Sequence, residues 1–442
     1  MWLILLAIVA FVVTSGCATY SEKIEEARTL TNQGAYPEAT RQMNDFLGVR
    51  SSEDLPRKWK GENSLAVLER SILLQAQGDY ALSARDMGAA DENIEILDLE
   101  KDAIGSIGKY VYSDSSANYA PAPTERVALN GLNLANYLAV GDLSGAAVEA
   151  RRYTNMRDYL KSIEFEATAS FGAYLAGFTF ERLGEGDRAL RYYEEAMKGG
   201  TLQSLAGPVA RLARSNPYRG PRIEELLAAH PEAATVAPAG EILTIVALGR
   251  VPIKMPKRIP IGAAVGIAGT LITGNSAVLE RSVFKVVVYP EMEGAKTRAQ
   301  QASVTIDGAP VTVELASHLG KDIEKEYEKI KPQIIAAALT RMISRALVAE
   351  GARYAGRSAG GGLGSILGLA FAWATEASLV ALDKPDTRSW TFLPERVYIS
   401  RMPVDPGEHE VEAVVGGVGE TRRIPVQVPK GGFAVLVVTV PR

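Results

Sequence analysis

The side chains that could do chemistry in this chain are few and scattered. Three histidines, His230, His318 and His409, stand far apart, and none has a partner at i+4 or another metal-ligand spacing. The glycine run Gly360-Gly361-Gly362-Leu363-Gly364-Ser365 lacks the Lys that a phosphate-cradling loop requires. No Gly-x-Ser-x-Gly elbow with credible partners occurs. Asp383 and Asp386 lie close to Arg388 and Trp390 and could form a polar site, although a charged, Pro-containing turn of this kind more often leads into a strand. Scattered carboxylates are the only raw material for acid–base work. The expectation is a protein without catalytic residue, metal or cofactor, and not an enzyme.

Cys17 is the only cysteine in the 442 residues, so neither an internal disulfide nor a thiolate metal cluster can form. Ahead of it, Trp2 to Val13 is almost wholly apolar, and no charged residue occurs before Glu22. A dozen apolar residues are too few for a hydrocarbon core that needs about 20 in a helix, which favours a cleaved export signal. The small residues Thr14, Ser15 and Gly16 just before Cys17 resemble the bacterial lipobox. That resemblance implies a signal peptide over 1–16 and lipid on Cys17, and multiple acyl chains anchor a protein stably where one does not. Ala18 in place of Asp implies, by the same resemblance, sorting to the outer membrane, facing the periplasm.

About 425 residues then remain, enough for two or three domains. The composition, 47% hydrophobic and 23% charged, is that of an ordinary folded protein. A net charge of -4 offers no field to recruit nucleic acid, which is excluded as a partner.

Stepping from single residues to the elements that hold them, residues 17–240 read as helical hairpins. A Gly followed five positions later by a small residue recurs as Gly34/Ala39, Gly78/Ser83, Gly141/Ala146 and Gly184/Ala189. In the best copy, Ala176, Gly177, Phe180 and Gly184 mark the first helix and turn, and Ala189, Tyr193 and Ala196 the second. These positions match the tetratricopeptide pattern, in which small residues let two helices approach and aromatics fill the groove. An insertion at 98–124 carries Tyr110, Tyr112 and Tyr119, a tyrosine- and proline-rich stretch readable either as a contact surface or as a packed connection.

Tyr119-Ala-Pro-Ala-Pro-Thr-Glu-Arg-Val, then Leu132 to Leu138, Gly141-Asp142 and Val148-Glu149-Ala150-Arg151-Arg152, resembles a signature of tetratricopeptide-repeat-containing lipoproteins of the Gram-negative bacterial envelope. The resemblance implies an envelope location and a repeat fold and brings no activity with it. Glu149 with Arg151 and Arg152 reads as helix-to-helix ion pairing ahead of a ligand clamp.

Residues 241–442 change character. Ile242 to Ala247 reads as a strand and Val251 to Pro256 as an extended linker. Ser303 to Val313 reads as a hairpin around Asp307-Gly308. A helical insert at about 320–380 carries Ile335, Leu339, Ile343 and Leu347 at helical spacing. Strands return at Arg396 to Ile399, His409 to Val415, Arg422 to Val428 and Phe433 to Val440. The fold class expected is α+β: a tetratricopeptide-like helical solenoid followed by a β-sandwich-like domain with a helical, glycine-rich insert. Two charge-free, glycine-rich tracts, Ile259 to Gly274 and Ala359 to Ala372, read first as buried packing segments and second as membrane-inserting ones.

These readings point to a lipid-anchored scaffold or assembly factor that holds an envelope protein in the concave groove of its repeats. A membrane-inserting export or pore component, and a hydrolase of cell wall or surface polysaccharide, are the alternatives. A homo-oligomer is left open.

Overall fold

The computed structural model describes residues 19–94, 119–162, 169–233, 236–272, 286–295, 297–358 and 385–442. The chain is α+β. Four helical hairpins come first: α1 (Glu25–Gln33) with α2 (Tyr36–Leu47), α3 (Asn63–Gln77) with α4 (Tyr80–Asn93), α5 (Pro123–Ala139) with α6 (Leu143–Ser162), and α7 (Ser170–Arg182) with α8 (Gly186–Ala196). Two shorter helices follow, α9 (Ala206–Ala213) and α10 (Pro221–Ala229).

The recurring glycine is what closes each hairpin. Gly34, Gly78, Gly141 and Gly184 have φ of 80°, 87°, 76° and 78°, a left-handed conformation open to glycine at little cost. Each glycine N–H donates to the carbonyl three residues back, and the following N–H donates five residues back, as in Ala35 to Leu30 and Glu185 to Phe180. This Schellman closure satisfies the last carbonyls of the first helix and turns the chain straight into the second. The small residue five positions on, Ala39, Ser83, Ala146 or Ala189, is then buried between the two helices. Gly177 serves the same close approach, since a Cβ there would meet Tyr193 Cδ1 at 2.5 Å.

Among the described residues ten strands form three sheets. The first has the order β10 (Phe433–Val440), β1 (Gly240–Leu248), β7 (Arg396–Val404), β6 (Glu314–His318); β1 runs parallel to β10 and antiparallel to β7. The second has the order β5 (Ala309–Val311), β4 (Gln301–Ile306), β8 (Gly407–Gly416), β9 (Glu420–Val428). The hairpin expected around Asp307-Gly308 forms, with φ of 51° and 78° at its two turn residues, the positive values that a two-residue turn needs to match strand twist.

All nine residues of β1 are buried, which identifies a strand covered on both faces. On one face Ile242, Val246 and Leu248 join Val304, Val411, Ala413 and Val415 of the second sheet in one apolar cluster. On the other, Leu243 and Ile245 join Val397, Ile399 and Val437 in a cluster that continues through Leu73, Leu132, Phe171 and Phe178 of the hairpins. The layers are therefore helices, sheet and sheet, with the first sheet in the middle. The face of the hairpins expected to receive a partner segment is occupied by the chain's own strands. Tyr80 Oη donates to the Val437 carbonyl at 2.6 Å, and Thr439 Oγ1 donates to Gln75 Oε1 at 2.8 Å.

Two sequence readings need correction. Val251 to Pro256 is not a linker: β2 (Ile253–Pro260) pairs antiparallel with β3 (Val286–Glu293) in a two-stranded ribbon. Pro256 and Pro290 sit opposite each other, and a two-stranded ribbon is all edge, where proline is tolerated. The tract from Ile259 is not buried either. It forms the short helix α11 (Ile261–Ala268), of which only Ala264 and Ala268 are enclosed. The second tract, 359–372, lies outside the described residues. α12 (Leu319–Ser358) has its Ile335, Leu339 and Ile343 buried as their spacing predicts. No described helix is long and apolar enough to cross a membrane.

Candidate functional site

Of the residues singled out in the sequence, Cys17, Tyr110, Tyr112 and Asp383 lie outside the described residues. Tyr119, readable as part of a contact surface or of a packed connection, is only 1% exposed, and its hydroxyl donates to Glu125 Oε2 at 2.6 Å, as in a packed connection. Glu149 is buried on α6, accepts from Asn130 Nδ2 at 3.2 Å and pairs with Arg152 at 3.0 Å, while Arg151 is exposed. Burial first, offset by Arg152, raises the Glu149 carboxyl above its usual range. The expected helix-to-helix ion pair does not form: Glu149 and Arg152 pair three residues apart within α6, the contact across to α5 is the neutral Asn130, and Arg151 faces solvent beside the exposed Val148.

The histidines do not meet. His230 lies by Glu232, His318 by Arg396, and His409 between Asp307 Oδ2 at 2.6 Å and the Asp405 carbonyl at 2.7 Å. Asp386 accepts from Arg388 through both oxygens, and this pair leads through a buried segment into β7. Among the described residues no three His, Cys, Asp or Glu side chains are grouped to hold a metal.

Sequence reasoning missed two buried polar joints among the described residues. In the first, glutamates of the hairpins clamp the segment before β7. Glu69 of α3 accepts the Thr391 and Phe392 backbone N–H groups at 2.6 and 2.7 Å, and Glu125 of α5 accepts that of Trp390 at 3.2 Å. Nearby, Glu326 of α12 accepts the Thr124 N–H at 3.0 Å, and its Oε1 has no hydrogen-bond partner among the described residues. Burial pushes the Glu326 carboxyl up to about 8. It pushes Glu69 up to about 8 as well, against the two backbone donors that favour its charged form. Lys254 is buried in the same region, and burial lowers its ammonium below the usual value.

In the second joint, Arg401 of β7 is fully enclosed. Its Nε and Nη2 grip both oxygens of Glu241 on β1 at 2.8 and 2.9 Å, Nη2 also reaches Glu181 of α7 at 2.9 Å, and Nη1 reaches Tyr193 Oη at 3.0 Å. Arg182 and Arg211 complete the group against Glu241 and Glu181. Burial alone would raise the Glu181 carboxyl, but Arg401, Arg182 and Tyr193 hold it down to about 2. The signal for such joints was visible in part: Glu69-Arg70 interrupts the apolar run of α3, and charges inside an otherwise buried helix need partners. Arg70 finds Asp86 in a bidentate pair at 2.7 and 3.0 Å.

These carboxylates hold backbone and guanidinium groups in place. An open cleft of about 640 Å3 lies elsewhere, in the loop between α2 and α3, lined by Arg50, Asp54, Arg57, Lys58 and Asn63. Arg70 and Arg85 fix that loop from within by donating to the Asp54 and Glu53 carbonyls at 3.0 and 2.7 Å. Arg50, Arg57, Lys58 and Lys60 are exposed there. No protein family, no curated protein and no solved structure was found to match the chain.

Proposed function

We propose that the protein is a bacterial envelope lipoprotein, tethered to the outer membrane by lipid on Cys17, that acts as a non-enzymatic binding or assembly factor. In this reading the hairpins are tetratricopeptide-like repeats and the two four-stranded sheets are a β-sandwich laid in their groove. The observation that carries the reading is where the residues just after Cys17 pack. Thr19 is two residues past Cys17, a span of at most about 7 Å. The next residue, Tyr20, packs its ring edge-on to Phe46 at 5.9 Å, and Lys23 pairs with Glu62 at 2.7 Å. A lipid on Cys17 would therefore leave the body beside the loop of Arg50, Arg57, Lys58 and Lys60, cations suited to anionic headgroups.

Since the inner face of the hairpins is filled by the sheet, a protein partner would meet the outer face, where Val148 and Arg151 of α6 are exposed. Labelled palmitate tests the anchor: the full chain is expected to take up label and fractionate with outer membranes, and Cys17→Ser to do neither. Equal labelling of the two would end this reading.

A further inference from the structure

Among the described residues, exposed large hydrophobic side chains are concentrated in one place. Ten large hydrophobic residues are exposed among those described, and four of them, Val265 (37%), Ile267 (42%), Leu271 (45%) and Val286 (39%), stand at the far end of the β2–β3 ribbon. The described register of the ribbon runs as far as Pro260 opposite Val286, and α11 follows directly from β2 at that end. Ala264 and Ala268 turn toward the body, as part of the core cluster that includes α12, and the opposite face of α11 is left outward. Gly262 and Gly266 on that outward face have nothing within 4 Å of where a Cβ would be.

The chemistry around this face favours lipid over protein. No charged residue occurs between Arg258 and Glu280, and none lies inside α11. Directly behind it, Arg258 is exposed on β2 beside Lys257, which is exposed too and pairs with Glu291 of β3 at 3.2 Å. An apolar helix with cations at its shoulder is the arrangement of an interfacial segment, which buries its apolar side among acyl chains while the cations stay at the headgroups. An eight-residue helix rises only about 12 Å, far short of a hydrocarbon core of roughly 30 Å. The geometry points to α11 as a monotopic membrane contact: the helix enters the headgroup and upper acyl region of an anionic bilayer, without spanning it. This contact goes beyond the lipid anchor and does not need it.

The test uses the full chain in vesicles of phosphatidylethanolamine with phosphatidylglycerol. A polarity-sensitive fluorophore is placed by Ile267→Cys, and by Val140→Cys, on an exposed turn between α5 and α6, as control. The expected result is blue-shifted emission at 267, quenched by lipids brominated on the upper acyl chain, with neither effect at 140. Arg258→Gln, or omission of phosphatidylglycerol, should lower the ratio of inserted to free probe, by roughly fivefold for the one charge removed. Blue emission at 267 already present without vesicles and untouched by brominated lipid would assign the face to a second copy or to another part of this chain, and would overturn the inference. So would water-like emission at 267 in vesicles. Labelling of the unsubstituted chain reads Cys17 separately, since an acylated thiol takes no fluorophore, so a failed anchor and a failed α11 contact are told apart.

Discussion

Replacing Arg401 by Met keeps the length of the side chain and removes its charge and its donors. Four hydrogen bonds disappear, two to Glu241 and one each to Glu181 and Tyr193, at a position where the arginine is only 1% exposed. Removing one partner of a buried ion pair leaves the other charge uncompensated, at about 3–5 kcal/mol. An independent figure comes from Glu181. Its carboxyl is held to about 2, against an ordinary value of 4.5, through Arg401 above all the other attractive partners. At about 1.4 kcal/mol for each tenfold change, that is roughly 3 kcal/mol of stability.

The sign follows from linkage. A carboxyl whose value in the fold is depressed stabilises the fold above its unfolded value, and that stability is lost as pH falls from about 4.5 toward 2. The gap between wild type and Arg401→Met should therefore be widest near pH 7 and narrow as pH falls below 4.5. Urea unfolding followed by circular dichroism at pH 7 and at pH 3.5 measures both values. A gap under about 1 kcal/mol at pH 7, or one that does not change with pH, would refute the claim that this joint holds the hairpins to the sheet.

Glu326 should behave in the opposite sense. Burial raises its carboxyl to about 8, so the stability tied to its proton is complete below about 4.5 and declines as pH rises through 8, with Glu69 adding in the same direction. Glu326→Gln is expected to flatten the fall in Tm between pH 5 and 8, and an unchanged slope would show that this carboxyl is not the titrating group. Gly177→Val places a side chain where even a Cβ meets Tyr193 at 2.5 Å, and overpacking of this kind costs roughly 1–3 kcal/mol. Gly48→Val, at a position with nothing within 4 Å but a φ of 66°, separates steric clash from backbone strain in the same thermal scans.

Much of the local architecture was legible in the residues alone. The glycine and small-residue phrase marks the hairpins because a left-handed turn and a close helix approach are demands on single residues, which one chain displays directly. Asp307-Gly308 predicts its turn for the same reason. Ile335, Leu339 and Ile343 declare a buried helical face by spacing, which is also a local property. What lay beyond reach was which surfaces meet. The apolar face of the hairpins reads the same whether it awaits a partner or covers the chain's own β10, β1 and β7, because periodicity reports that a face is apolar and not what covers it. Tyr119 shows this in one residue: its type suited a contact surface or a packed connection, and in the fold it is buried within the core with its hydroxyl on Glu125 of α5. The Arg401 joint unites α7, β1 and β7 across up to 220 positions of sequence, a distance that no local pattern spans. The same holds for α11, where Ile259 to Gly274 announced an apolar tract and the ribbon decided that most of it faces outward. Composition sets what a segment prefers to touch, and tertiary structure decides what is there to be touched.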